Sequence, residues 1–206
     1  REQGLTLVVH TGVVGADVAR GLAEAGVDAA LIDVIGSQKT IEEVYNLDLE
    51  VDDYESSLRA LHDSGVPFVP HIVVGLHYGR LLGEARALEM ISRYRPHGLV
   101  AIALIPLKGT PMEDVSPPRP EDVVWVLAKA RIMMPEIPLA LGCMRPKGSH
   151  RRETDLLAVR AGVNAIAFPM EEAIDLAESM GLEMKFSSTC CSQMYEEFAR
   201  EDFTQQ

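Results

Sequence analysis

Three cysteines, Cys143, Cys190 and Cys191, are the softest metal donors in the chain. Thiolates suit an iron–sulfur cluster or zinc better than a hard cation. Cys190 and Cys191 are adjacent and cannot bind as a Cys-x-x-Cys pair does, so a shared site must join Cys143 to one or both of them across the fold. The other reading is an apolar Cys143 and a surface thiol pair of no consequence. His10, His71 and His77 offer metal ligation or proton transfer, but their spacing fits no zinc signature such as His-Glu-x-x-His, and purely structural roles stay open to them. Asp33 interrupts the apolar run Leu31-Ile32-Asp33-Val34-Ile35. A carboxylate there must reach an open mouth or be paired, which leaves a ligand hydroxyl or amine on one side and a salt bridge on the other. Gly142-Cys143-Met144-Arg145-Pro146-Lys147-Gly148 places cations just past an apolar run, with Arg145 nearer to it than Lys147, suited to a carboxylate or a cluster edge. Lys108-Gly109-Thr110-Pro111 reads as a tight turn whose N–H groups could hold an anion.

The elements that must position these groups are six short apolar runs: Leu5–Thr11, Ala29–Ile35, Phe68–Leu76, Leu99–Leu107, Leu139–Met144 and Ala165–Pro169. Between and after them, Val14–Ala25, Asp53–Ser64, Gly83–Arg93, Pro120–Met134, Glu153–Ala161 and Glu171–Met180 carry helical spacing. Continuous hydrophobic strands alternating with helices predict a parallel sheet and an α/β fold. Helix exits at Gly26, Gly65 and Gly162, each followed at once by a strand, supply left-handed caps. A dinucleotide-binding sheet would need a third glycine after Gly12-Val13-Val14-Gly15. A (β/α) barrel of the TIM type instead expects polar residues at the C-terminal ends of several strands, where His10, Thr11, Asp33, His71, Cys143 and Arg145 stand. Six βα units fall short of the usual eight, so two units, about 80–100 residues, are expected upstream of Arg1. Residues 1–180 then form the partial barrel. Residues 181–206 form an extension carrying Cys190-Cys191, with a short strand at Gly181–Phe186 and an acidic surface tail from Tyr195.

Thirty-one acidic against 19 basic residues give a formal charge of −12, which repels phosphate backbones and anionic lipid. Nucleic acid and membrane are excluded as partners on that ground. Too few cysteines for a disulfide framework, no signal peptide and no long apolar run lead to a cytoplasmic expectation.

Pro70-His71-Ile72-Val73-Val74-Gly75-Leu76 with Gly83-Glu84 resembles the fifth-strand segment of radical S-adenosylmethionine (SAM) barrels, Gly-x-Ile-x-Gly-x-x-Glu. His71 replaces the first glycine and the acid comes late. Pro106-Leu107-Lys108-Gly109-Thr110-Pro111 resembles the sixth-strand segment of biotin-synthase-like members. With Leu31–Gly36, Gly142–Pro146 and Cys190-Cys191-Ser192, nearly the whole chain is similar to biotin-synthase-like radical SAM proteins, two-component lipoyl synthases included. In that family a Cys-x-x-x-Cys-x-x-Cys loop after the first strand holds a [4Fe–4S] cluster that chelates SAM; the 206 residues contain no such motif. The alignment makes Leu5–Thr11 the third strand, so that loop falls in the two units expected upstream. The resemblance implies a transferase that uses SAM and a 5′-deoxyadenosyl radical to insert sulfur at an unactivated carbon. Its substrate is small or carried on an acyl carrier, and a paralogous partner subunit is implied. It places Asp33 at the SAM ribose or methionyl group, His71 and Gly75 in the adenosyl pocket, and His10 facing SAM or substrate. Cys143, Cys190 and Cys191 become ligands of an auxiliary iron–sulfur cluster, supported by Arg145, which could instead bind a carboxylate. Two other readings remain: a non-catalytic subunit completing a split barrel, its first-strand edge the partner surface, and an aldolase-type barrel with a Schiff base at Lys108.

Overall fold

A computed structural model describes residues 4–196. The chain alternates strand and helix: β1 (Val8–His10), α1 (Ala16–Ala25), β2 (Ala29–Asp33), α2 (Val51–Ser64), β3 (Phe68–Val74), α3 (Glu84–Ser92), β4 (Leu99–Ala103), α4 (Pro120–Met133), β5 (Leu139–Leu141), α5 (Ser149–Arg160), β6 (Ala165–Ile166) and α6 (Glu171–Ser179). All neighbouring strands pair in parallel, and the sheet runs in sequence order from β1 to β6. This is the expected α/β architecture of the TIM-barrel type, left open between β1 and β6.

All six strands expected of the barrel are present but shorter. Leu99–Leu107 stops at Ala103 and Leu139–Met144 at Leu141. The apolar runs overshoot because barrel loops leave the ladder while still lined by aliphatic residues, and Pro106 has no N–H to give it. Gly181–Phe186 forms no strand: the Gly181 and Leu182 N–H groups cap α6 on the carbonyls of Glu178 and Ala177, and Leu182 and Phe186 are left exposed. A helical stretch at Gln38–Thr40, continuing as a π-helix over Ile41–Tyr45, was not legible. The Ser37 hydroxyl starts it by accepting the Thr40 N–H at 3.3 Å.

Alternation along each strand divides the core in two. Ala30, Ile32, Phe68, Ile72, Leu99 and Leu141 face the helices and bury against Leu58, Leu61, Leu88, Ile91 and Leu127. Each such aliphatic side chain contributes about 1.5–3 kcal/mol on leaving water. Ala29, Leu31, Val69, Val100 and Ala140 point to the other face, the barrel interior, and what covers them is the C-terminal extension: Cys191, Met194 and Tyr195 pack there. The Tyr195 hydroxyl donates to the Asp28 carbonyl at 3.1 Å, and its ring meets His97 edge-on at 6.4 Å. Tyr195, read as the start of a surface tail, is therefore an interior residue; residues 197–206 of that tail lie outside the described residues. Met194→Ala is expected to lower the unfolding free energy by about 2 kcal/mol, the low end for a buried methionine because a strap can settle. Urea titration measures this, and an unchanged midpoint would show the strap to be ornamental.

Among the described residues no helix is long and apolar enough to cross a membrane.

Candidate functional site

The C-terminal ends of β1 and β2 and the middle of β3 bring three of the expected residues together. The register pairs His10 with Leu31 and Asp33 with His71, so His10, Asp33 and His71 all project from the interior face. Their ligand atoms lie within 4.8 Å of one another, with His10 Nε2 at 4.0 Å from Asp33 Oδ1 and the two imidazole centroids 5.5 Å apart. His71 is buried and its Nδ1 stands 3.0 Å from the Val69 carbonyl, which can only accept, so Nδ1 carries the proton and Nε2 presents a lone pair. Burial holds His71 below the ordinary imidazole value, and the nearby Asp33 carboxylate only partly offsets it. Asp33 also bears on the tyrosines behind it: Tyr45 is pushed up to about 12 chiefly by burial, then by the Asp33 charge.

Gly75 follows β3 with φ +73, and a Cβ there would meet Pro118 at 2.7 Å. Its N–H donates to Glu84 Oε1 at 2.9 Å. The acid that comes late in sequence thus folds back onto the glycine it accompanies. Glu84 is buried with Oε2 unpartnered, and burial raises its carboxyl above the usual range. A raised folded-state value means that its contribution to stability is full below the unfolded pKa and is lost as pH rises through the folded one. Glu84→Ala is expected to cost about 1–3 kcal/mol by orphaning the Gly75 N–H. Glu84→Gln keeps an acceptor without the charge and should gain on the wild type as pH rises from acid to neutral, read by urea titration at both ends.

The three thiols lie in the segment after β5 and in the C-terminal extension. Cys143 follows β5, and the strap brings Cys191 against its backbone N–H and Cys190 alongside; burial, above all, pushes the Cys191 thiol up to about 11. Burial acts to raise Cys190 as well, but the Ser192 hydroxyl, 3.2 Å from its sulfur, and the Ser192 backbone bring it below the ordinary thiol value. The sulfurs are not packed within 4.8 Å of one another as the first triad is. Tetrahedral zinc with bonds of about 2.3 Å needs sulfurs about 3.8 Å apart, so the wider set suits a multi-iron cluster better.

Arg145 does not reach the mouth. It is fully buried, and Nε and one terminal nitrogen donate to both Asp155 oxygens at 2.7 and 3.0 Å. Two further N–H groups donate to the Gly142 and Phe168 carbonyls. The expectation that it binds a ligand carboxylate or a cluster is corrected: its guanidinium is consumed within the fold. His77 is likewise structural, bonded through Nδ1 to the Thr40 hydroxyl at 3.3 Å. Lys108 sits exposed in its turn, without the burial that prepares a lysine for Schiff-base chemistry.

Biotin synthase of Zymomonas mobilis is 30% identical over 167 residues, 78% of this chain and 47% of that protein. Biotin synthase of Sorangium cellulosum is also 30% identical over 167 residues, 80% of this chain and 47% of its own. The chain is similar to biotin synthases over about four-fifths of its length. It spans about half the length of the curated relatives it matches. No protein-family model matches it. The fold agrees with that of HydG, a maturase of the [FeFe]-hydrogenase (TM-score 0.60, 14% identity, 81% of this chain and 38% of that one). It also agrees with methylornithine synthase PylB (TM-score 0.59, 14% identity, 96% and 61%). Radical SAM relatives use SAM and [4Fe–4S] clusters. In this chain, three cysteines without a Cys-x-x-x-Cys-x-x-Cys motif do not fit a SAM-chelating cluster.

The strap was the feature sequence reasoning missed. Its signal was slight: Met194 and Tyr195 are the apolar pair following the thiols.

Proposed function

We propose that this chain supplies the SAM- and substrate-binding half of a radical SAM enzyme that inserts sulfur at an unactivated carbon, in the manner of biotin and lipoyl synthases. The observation that carries the reading is the convergence of His10, Asp33 and His71 on the interior face of β1–β3, with Cys191 drawn against the Cys143 backbone after β5. Asp33, to which no described N–H or O–H donates, suits the hydroxyls of a ribose or the ammonium of a methionyl group. His71 Nε2 accepts from an adenosyl or substrate donor, and half-exposed His10 orients whichever partner enters from the open side. The Gly75–Glu84 bond fixes the loop that closes this wall. Met194 and Tyr195 fill the interior beneath, so water is kept from below the reacting carbon. SAM, when bound, supplies the 5′-deoxyadenosyl radical, and an auxiliary cluster on the three thiols supplies sulfur. The substrate class is a small molecule or an acyl chain on a carrier, delivered with a paralogous subunit as partner.

Anaerobic incubation of the full-length, iron- and sulfide-reconstituted protein with SAM and dithionite is expected to release 5′-deoxyadenosine, quantified by mass spectrometry. A protein that carries its clusters yet releases none would overturn the proposal.

A further inference from the structure

His10, Asp33 and His71 have a second property that does not depend on SAM. Two imidazoles and one carboxylate from three adjacent strands, all on one face, form the donor set of a mononuclear site with open positions. His71 is arranged as a metal-ligating histidine is: Nδ1–H is spent on the Val69 carbonyl at 3.0 Å, which fixes the tautomer and aims Nε2 outward with no protein partner. The donor atoms already lie within 4.8 Å of one another. Bonds of about 2.0–2.2 Å in a tetrahedron place ligands about 3.4 Å apart, so closure needs about an ångström of movement. His10, whose side chain is 52% exposed, is free to rotate through it. Asp33 is one-third exposed, so the triad is reachable from solvent.

We propose that these three side chains bind a single divalent transition ion, Zn²⁺ or a similar borderline cation, apart from any iron–sulfur chemistry at the thiols. Nitrogen-rich donors favour such an ion over Mg²⁺ or Ca²⁺, which take oxygen ligands. This goes beyond the sulfur-insertion reading and does not rest on it; a metal held by these three side chains competes with the SAM and substrate contacts assigned to them above.

The test is titration of chelator-stripped full-length protein, before any iron–sulfur reconstitution, with Co²⁺ followed by visible absorption. One equivalent is expected to bind with weak ligand-field bands and no intense thiolate-to-metal transition, undisturbed by excess Mg²⁺. The triple variant C143S/C190S/C191S should bind unchanged. His10→Gln and Asp33→Asn, both at part-exposed positions and checked for native circular dichroism, should each weaken binding at least tenfold. No binding, a thiolate spectrum abolished in the triple variant, or undiminished affinity in both triad variants would overturn the proposal. Release of 5′-deoxyadenosine is scored separately, so either inference can fail alone.

Discussion

Arg145→Met is expected to destabilise the protein by about 3–5 kcal/mol, the cost of stranding a buried carboxylate. Both partners of the Arg145–Asp155 pair are wholly shielded from solvent, and the guanidinium takes the carboxylate with two bonds. Asp155 keeps the Met170 N–H at 3.0 Å when the arginine goes, which is too little for a buried charge. The pair joins three pieces of chain: the end of β5 through the Gly142 carbonyl, α5 through Asp155, and the loop after β6 through Phe168 and Met170. Its loss should therefore loosen the last two βα units together. Arg145→Met combined with Asp155→Leu removes both charges and should recover much of the loss, because desolvation offsets most of what a buried ion pair gains. Urea titration of the two single variants and the double variant gives the coupling directly. A loss below about 1 kcal/mol in Arg145→Met would show that water reaches the pair.

That arginine also marks where sequence reading stops. A cation two residues past Cys143 fits a ligand-binding loop and a buried staple equally well. What decides is Asp155, ten positions on and helical, and no local pattern announces that these two side chains meet. The elements were legible for the opposite reason: strands buried on both faces read as unbroken apolar runs, and Gly26, Gly65 and Gly162 punctuate helix ends by local backbone rules. Asp33 was legible because a carboxylate within an apolar run is costly unless used. The strap was hidden, since Met194 and Tyr195 matter only once β2–β5 have turned a bare face toward them. His10 and His71 could be named singly, but their meeting with Asp33 is a matter of strand register, which spacing along the chain does not contain.

The thiols give the second large effect. Cys143→Ser in the full-length reconstituted protein is expected to remove one cluster's complement of iron and sulfide while leaving SAM cleavage to 5′-deoxyadenosine in place. Cys143 is exposed and packs little, so its substitution should shift unfolding by no more than about 0.5 kcal/mol. Loss of iron without loss of fold separates a ligand from a packing residue. Cys190 has a thiol held below the ordinary value, and Cys190→Ser should behave as Cys143→Ser does. Cys191 differs, being partly buried with its thiol pushed up to about 11, so it must shed its proton to an incoming metal rather than to solvent. Assembly should for that reason quicken with rising pH. Full iron retention by Cys143→Ser would remove the auxiliary cluster from these residues and leave them as the anchor by which the strap is fastened beside β5.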